Sequence, residues 1–189
     1  TQYHLIANAL DTGADGVIIP RVESRAQAAR AVSFCRFPPS GIRGCGSRAP
    51  LDFRRDPWGP ALPWINEQTL VACQVESLQA IEALDDILSV PSIDVVVIGP
   101  LDLSISLGIP GQVSDPKMVA AIDRIIPICH AHNVASGIVG AMPEAIKPWW
   151  EKGMRFFVCG NDSDMLMQGG TAKVQGMRAF AGPRGEPHD

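Results

Sequence analysis

Two acidic residues stand directly after apolar runs that are typical of buried β-strands. Glu76 follows the run Leu70–Val75, and Asp102 follows Val95–Ile98 by way of Gly99 and two further residues. Neighbouring parallel strands lie about 5 Å apart, so two carboxylates at adjoining strand ends can point into one small space. Two carboxylates with water in the remaining positions are typical of Mg²⁺ or Mn²⁺ sites. The pair therefore predicts a divalent-metal site formed by Glu76 and Asp102.

Helix capping is the alternative role for each carboxylate taken alone, and for a single residue it is the commoner one. Glu76 directly precedes Ser77, a predicted N-cap, and Asp102 could cap a short helix through Leu103 and Ser104. The occurrence of both on consecutive strand ends favours the metal site. Gly99 supports it, because a glycine at a strand end lets a ligand approach the backbone and lets the following amides face an anion.

The segment from Phe37 to Asn66 is rich in Pro, Gly and Arg and is predicted to be a long loop with one short helix. It precedes the Glu76 strand in the chain. Arg43 or Arg48 could bind a substrate carboxylate. An ordinary Arg-bearing surface loop is an equally good interpretation.

The elements that must position these residues alternate strictly between helix and strand. Five short, mostly apolar runs predict strands, and six segments predict helices. This order is typical of a parallel sheet covered by helices, and units of roughly 25 to 35 residues are the size expected of a (β/α)8 TIM barrel. No glycine-rich phosphate loop follows a strand, which disfavours a nucleotide-binding sheet. The predicted strands are 16–20, 70–76, 95–98, 135–139 and 156–159. Ser24 is the predicted N-cap of a helix that extends to Cys35, and Ser77 is that of a single helix ended by Pro91.

Five strands cannot close an eight-stranded barrel, so we expect the first three strands to be absent from this chain. Residues 1–181 are predicted to form this partial barrel domain, and residues 182–189 a disordered tail. The last predicted helix, 162–180, contains Gly169 and Gly170, which weaken a helix. Close packing against another subunit would explain them.

Composition indicates a soluble globular protein. Of the 189 residues, 46% are hydrophobic and 19% are charged, with a net charge of −4. No basic patch predicts binding to nucleic acid or to an anionic membrane, and no apolar run reaches the roughly 18 residues of a membrane helix. The start of the chain is not typical of a secretory signal, and the five cysteines form no CxxC pair, so we expect a cytoplasmic protein with reduced thiols.

Several short motifs together resemble the HpcH/HpaI aldolase family, the class II pyruvate aldolases typified by 4-hydroxy-2-oxoheptanedioate aldolase. The resemblance covers nearly the whole chain, in order and with matching gaps. The PPSGIRG and IGPLDLS motifs are specific in combination. The motifs are Leu10-Asp11-Thr12-Gly13, Val17-Ile18-Ile19-Pro20, the PPSGIRG sequence at 38–44, Gln74-Val75-Glu76-Ser77 and the IGPLDLS sequence at 98–104.

The resemblance implies a (β/α)8 barrel of the phosphoenolpyruvate/pyruvate superfamily. In that family Glu76 and Asp102 match the metal ligands, with Mg²⁺ or Mn²⁺ expected and Co²⁺ possible. The amides of Leu101 and Asp102 match those that hold the pyruvate carboxylate, Gln74 a polar neighbour of the metal, and Val139 an apolar wall. The family is usually hexameric, with a last helix that packs on a neighbouring subunit. Its acid–base histidine, the aspartate partner and the carbonyl-polarising arginine come from earlier strands, so no catalytic residue of that kind is expected here.

The predicted activity is metal-dependent, reversible retro-aldol cleavage of a 4-hydroxy-2-oxo acid to pyruvate and an aldehyde through a stabilised enolate. No Lys lies at a strand end, so a Schiff-base aldolase is disfavoured. A lyase acting on a CoA thioester is a further alternative, disfavoured by the lack of a basic surface. The alternative of another class is a non-catalytic form that binds metal or assembles with partner subunits.

Overall fold

The computed structural model describes residues 2–140 and 143–181, which form a parallel sheet with helices packed against it. None of the helices in these ranges combines the length and apolarity needed to cross a lipid bilayer. The predicted disorder of residues 182–189 lies outside the described residues. In chain order the elements are α1 Tyr3–Asp11, β1 Gly16–Ile19, α2 Arg25–Cys35, a 3₁₀ helix Ala49–Leu51, α3 Trp58–Gln68, β2 Leu70–Val75, α4 Leu78–Glu82, α5 Leu84–Leu88, β3 Val95–Ile98, α6 Pro100–Ser106, α7 Pro116–Ala131, β4 Ala135–Val139, α8 Pro143–Glu151, β5 Phe156–Val158 and α9 Asp162–Ala181.

The five strands pair in chain order, each parallel to the next, and form a curled half-barrel. The register aligns Val75 with Ile98 and Ile98 with Ile138, so the strand ends that precede the predicted site lie level. All carboxyl ends of a parallel sheet meet at one edge, which brings the residues after β2, β3 and β4 together. The predicted strands and the parallel α/β fold class are confirmed.

Side chains alternate between the two faces of the strands, as the period of two requires. Val71, Cys73 and Val75 join the main core between sheet and helices. Ala72 and Val97 belong instead to an apolar cluster on the concave face. Strand residues on both faces are therefore mostly apolar, as in other parallel sheets.

The predicted helix starts are confirmed by their capping hydrogen bonds. The Ser24 hydroxyl accepts from the amide of Gln27 at 3.3 Å, and that of Ser77 accepts from Ala80 at 3.1 Å. The single helix predicted after Ser77 is wrong in one respect, because it divides at Ala83 into α4 and α5. Apolar residues of both short helices still face the main core. Their spacing in the sequence therefore predicts one continuous helix.

The segment between α2 and β2 is more ordered than the predicted loop. It contains the 3₁₀ helix and the eleven-residue α3, longer than the one short helix expected. Pro60 lies in the first turn of α3, where a missing amide hydrogen is harmless. Phe37, Leu51 and Ile65 form a separate buried cluster. This segment is therefore a packed layer of its own.

A buried arginine ties this layer to the amino ends of the strands. The Arg36 side chain, 5% exposed, donates to the Ser92 carbonyl at 3.2 Å and to the Asp94 carboxylate at 3.1 Å. It also donates to the carbonyls of Asn66 and Thr69. Five donors in a fixed fork suit this role, since a buried guanidinium must satisfy nearly all of them.

Candidate metal site at the strand ends

The register of β2 and β3 brings the two predicted carboxylates to the same edge of the sheet. Val75 pairs with Ile98, so Glu76 lies beside Gly99 at the end of β3. Glu76 is only 5% exposed. Asp102 follows in the first turn of α6, with its side chain 52% exposed. One carboxylate is thus enclosed and the other faces the opening.

Two hydrogen bonds fix the orientation of the Glu76 carboxylate. Its Oε1 accepts from the backbone amide of Arg21 at 2.9 Å, and its Oε2 accepts from the Gln74 side-chain amide at 2.7 Å. Burial nevertheless raises the pKa of Glu76, and the nearby Asp102 charge acts in the same direction against those two hydrogen bonds. An enclosed carboxylate of this kind favours a proton or a cation.

Gly99 is required by the close packing of this site. A Cβ atom built on it would lie 2.5 Å from Gln74 Nε2 and 2.5 Å from Glu76 Oε2. The sequence predicted that the glycine admits a ligand to the backbone. The structure shows that the chain's own Glu76 and Gln74 side chains occupy that space.

Asp102 is not a helix cap, so the capping alternative is wrong for this residue. The N-cap of α6 is Gly99, and Asp102 is the third residue of the helix. In the part of the chain that the structure describes, its carboxylate accepts no hydrogen bond, and its one ionic contact is the Arg21 guanidinium at 3.9 Å. Glu76 does not cap α4 either, because Ser77 does so.

The donor set fits a hard divalent cation. One carboxylate is buried with a raised pKa and the second is open, and a cation between them would offset the desolvation of Glu76. No cluster of three or more His, Cys, Asp or Glu side chains suited to a metal occurs among residues 2–140 and 143–181. The remaining ligands would therefore be oxygens of water or of a bound molecule. These residues do not distinguish Mg²⁺ from Mn²⁺ or Co²⁺.

The other residues predicted for substrate contacts lie at the same edge, with one exception. The first backbone hydrogen bond of α6 runs from Leu103 to Gly99 at 3.0 Å, which leaves the amides of Leu101 and Asp102 without a backbone acceptor in the described ranges. Val139 ends β4, one residue beyond the Ile98–Ile138 pair, and joins the concave apolar cluster.

The exception is Arg43, whose predicted contact with a substrate carboxylate is wrong. Its side chain is 1% exposed and forms an ion pair with Asp11 at 3.0 Å. Asp11 ends α1, which leads into the amino end of β1, so this contact lies at the opposite end of the sheet. The place of Arg43 in the connection from α2 to β2 explains this, because a segment between a helix and a following strand ends at the amino end of that strand.

Sequence reasoning also missed Arg21, which contacts both carboxylates. The residue follows Pro20 just after β1, at the same sheet edge as Glu76 and Asp102. The available signal was its place at the carboxyl end of a third predicted strand. Its left-handed backbone, with φ of 55°, could not be read from the sequence because glycine is the usual residue there.

Comparison with known proteins relates this fold to one family. Residues 2–168 match the family model described as HpcH/HpaI aldolase/citrate lyase. A hydroxypyruvate/pyruvate aldolase of Pseudomonas aeruginosa is 36% identical over 167 residues, which cover 87% of this chain and 61% of that protein. A 4-hydroxy-2-oxo-heptane-1,7-dioate aldolase of Salmonella paratyphi B is also 36% identical, covering 88% of this chain and 64% of its own length. The chain thus spans less than two thirds of both relatives.

Solved structures give the same relation. The crystal structure of an HpcH/HpaI aldolase from Desulfitobacterium hafniense superposes with a TM-score of 0.88 at 28% identity, over 99% of this chain and 72% of that one. A family protein from Burkholderia cenocepacia superposes with a TM-score of 0.80 at 32% identity, over 94% and 70%.

The substitution Gly99→Ala tests the packing of the site. The added methyl group must displace the Glu76 or Gln74 side chain, so we expect Mn²⁺ affinity to fall at least tenfold, as measured by isothermal titration calorimetry. Gly59→Ala is the matched control, since a Cβ there meets no atom within 4 Å. Equal Mn²⁺ affinity in Gly99→Ala and the unmodified chain would contradict the assigned geometry.

The raised pKa of Glu76 predicts a pH-dependent stability difference. A raised pKa means that the folded state binds the proton more tightly than the unfolded state, so metal-free stability falls as pH rises from about 4.3 through the folded pKa. Glu76→Gln should remove this loss. We therefore expect the variant to gain stability over the unmodified chain as pH increases through that window, measured by urea unfolding without metal. A pH-independent difference between Glu76→Gln and the unmodified chain would contradict the raised pKa of Glu76.

Proposed function

This chain belongs to the HpcH/HpaI aldolase/citrate lyase family, and from that premise we propose that it forms the metal-binding part of a pyruvate-aldolase active site. The proposed reaction is reversible cleavage of a 4-hydroxy-2-oxo acid to pyruvate and an aldehyde. One relative is named a hydroxypyruvate/pyruvate aldolase and the other a 4-hydroxy-2-oxo-heptane-1,7-dioate aldolase, which supports this class of reaction. The relatives are longer than this chain, so the activity is proposed for a complete (β/α)8 barrel of which the half-barrel is a part.

The observation that carries the proposal is the enclosed Glu76 carboxylate beside Asp102 at adjoining strand ends. A bare carboxylate with a raised pKa is a disadvantage to the fold unless a cation compensates for it. Both of its oxygens are aimed by the Arg21 and Gln74 hydrogen bonds. Such an arrangement suits a site that must hold a cation in one orientation.

A divalent ion at this site would supply positive charge where the cleavage step builds negative charge on the pyruvyl oxygens. Glu76 and Asp102 are the residues that would hold it. Gln74 acts on the ion only through Glu76, since its amide donates to Oε2. It is therefore proposed as a positioning residue.

The substrate carboxylate is proposed to bind at the start of α6. The amides of Leu101 and Asp102 are available as donors, and the first turn of a helix carries a partial positive charge. Val139, from the next strand end, would provide the apolar wall for the pyruvyl methyl group. Arg43 is left out, because it is buried against Asp11.

One observation favours the alternative of metal binding without catalysis. Within residues 2–140 and 143–181, no histidine contacts Glu76 or Asp102, and His132 pairs with Asp85 instead. Proton transfer to and from the 4-hydroxyl group would need a group beyond those described at this edge. The reaction assay below separates the two possibilities.

We also propose that the chain associates with copies of itself through α9, as in a homo-oligomer, with a hexamer of exchanged last helices as the family precedent. The side chains of residues 161–179 are all exposed. Leu166 is 77% exposed and Met177 73%, and with Val174 they form one apolar stripe along the helix. An exposed apolar stripe favours burial against another subunit.

The reaction is tested on the complete barrel that contains this chain, by pyruvate release from a panel of 4-hydroxy-2-oxo acids, with Mg²⁺ or Mn²⁺ and with EDTA. We expect metal-dependent release that falls by at least a hundredfold in Glu76→Gln and in Asp102→Asn, because each removes a ligand charge. Glu82→Gln, on the exposed side of α4, should keep full activity. Metal binding without release in the unmodified complete barrel would instead support the non-catalytic alternative.

Association is tested by light scattering after size-exclusion chromatography. Leu166→Glu places a charge within the apolar stripe and should reduce the molecular mass toward that of the monomer, because an unpaired charge is costly to bury. Gln168→Glu is the control, since it lies about 200° away around the helix. A monomeric unmodified chain would contradict the proposed association.

A further inference from the structure

The exposed guanidinium of Arg21 lies beside the Glu76–Asp102 site and forms only a long ion pair. The side chain is 69% exposed, and its nearest carboxylate is Asp102 Oδ1 at 3.9 Å. No hydrogen bond from this guanidinium occurs within the residues that the structure describes, whereas those of Arg36, Arg43 and Arg48 all donate to protein groups. An exposed ion pair at this distance is weak, so the guanidinium is available to another anion.

The backbone of Arg21 is strained in a way that serves the same site. Its φ of 55° is left-handed, a conformation that glycine adopts at lower cost. This turn directs the Arg21 amide to Glu76 Oε1 and the next amide, of Val22, to the Gln74 carbonyl at 3.3 Å. Glycine would make the same turn and the same amide contacts with less strain. The backbone geometry therefore gives no reason for an arginine, and the reason lies in the side chain.

The charges at the site indicate what that side chain meets. The two carboxylates and a divalent cation cancel, which leaves the Arg21 charge unbalanced. A cation at Asp102 also repels the guanidinium from that residue. A carboxylate of the bound molecule restores neutrality, and guanidinium groups bind carboxylates with two parallel hydrogen bonds.

We propose that Arg21 is a substrate-binding residue that contacts a carboxylate of the 2-oxo acid beside the metal. This inference rests on the proposed function. The carboxylate is either that of the pyruvyl head or a second one at the far end of a dicarboxylic substrate. In both cases Arg21 competes with the cation in the empty site and assists the ligand in the loaded one.

The test measures metal and ligand binding separately, by calorimetry on the full 189-residue chain. Arg21→Met removes the charge at similar length, and Arg21→Gly removes it while relieving the left-handed strain and keeping the amide bond to Glu76. The control is Arg124→Met, an exposed position on α7 with the same charge change. Each protein is titrated with Mn²⁺ alone, and then with pyruvate or 2-oxoglutarate at saturating Mn²⁺.

Opposite effects on the two binding steps are expected in both Arg21 variants. The Kd for Mn²⁺ should fall about two- to fivefold, because a competing positive charge is gone. The Kd for the 2-oxo acid should rise roughly tenfold, as for a lost charge-assisted hydrogen bond. Loss for both acids identifies the head carboxylate as the partner, and loss for 2-oxoglutarate alone identifies the distal one.

Two results would overturn the inference while leaving the proposed function standing. One is an unchanged Kd for both acids in variants that bind Mn²⁺. The other is parallel weakening of metal and ligand binding, which indicates that Arg21 only maintains the shape of the site. If the unmodified chain binds no Mn²⁺, the proposed function itself fails, and this inference fails with it.

Discussion

The structure depends on keeping one carboxylate enclosed at the end of a strand. Glu76 is buried, and three neighbours accommodate its carboxylate. The Arg21 backbone amide donates to one oxygen and the Gln74 side-chain amide to the other, and Gly99 leaves room because it has no side chain. The parallel register of β2 and β3 makes this possible, because it sets the end of one strand against the first turn after the next. Any slip of that register would separate Glu76 from both Gly99 and Asp102.

The two ends of the sheet carry different tasks. At the amino ends, Arg36 and Arg43 are buried with their charges used inside the protein, and they join the layer between α2 and β2 to the rest of the fold. At the carboxyl ends, the side chains of Arg21 and Asp102 are more than half exposed. This separation lets the carboxyl-end residues vary with the bound molecule while the amino-end contacts preserve the fold.

Much of the architecture was predictable because buried strands and helices have characteristic patterns of apolar residues in the sequence. Mostly apolar runs marked all five strands, and Ser24 and Ser77 marked helix starts through one local hydrogen bond each. The pairing of Glu76 with Asp102 followed from strand order alone. The break at Ala83 was not predictable, because both helices bury the same apolar period. The prediction for Arg43 was wrong because it ignored which end of the sheet the connection occupies. Arg21 was overlooked because its role depends on a left-handed backbone turn that side-chain types do not specify.

The exposed length of α9 has a consequence for how firmly the chain holds its shape. At about 1.5 Å per residue, this helix of 20 residues reaches roughly 30 Å along its axis with its described side chains in water. A helix without packing partners gains little stability from its own hydrogen bonds. The stability of α9 therefore depends on what packs against its apolar stripe. If a second copy covers it, the law of mass action links folding to abundance. Dilution then loosens the helix, and a cell that makes less of the protein holds a smaller fraction of it in the ordered form.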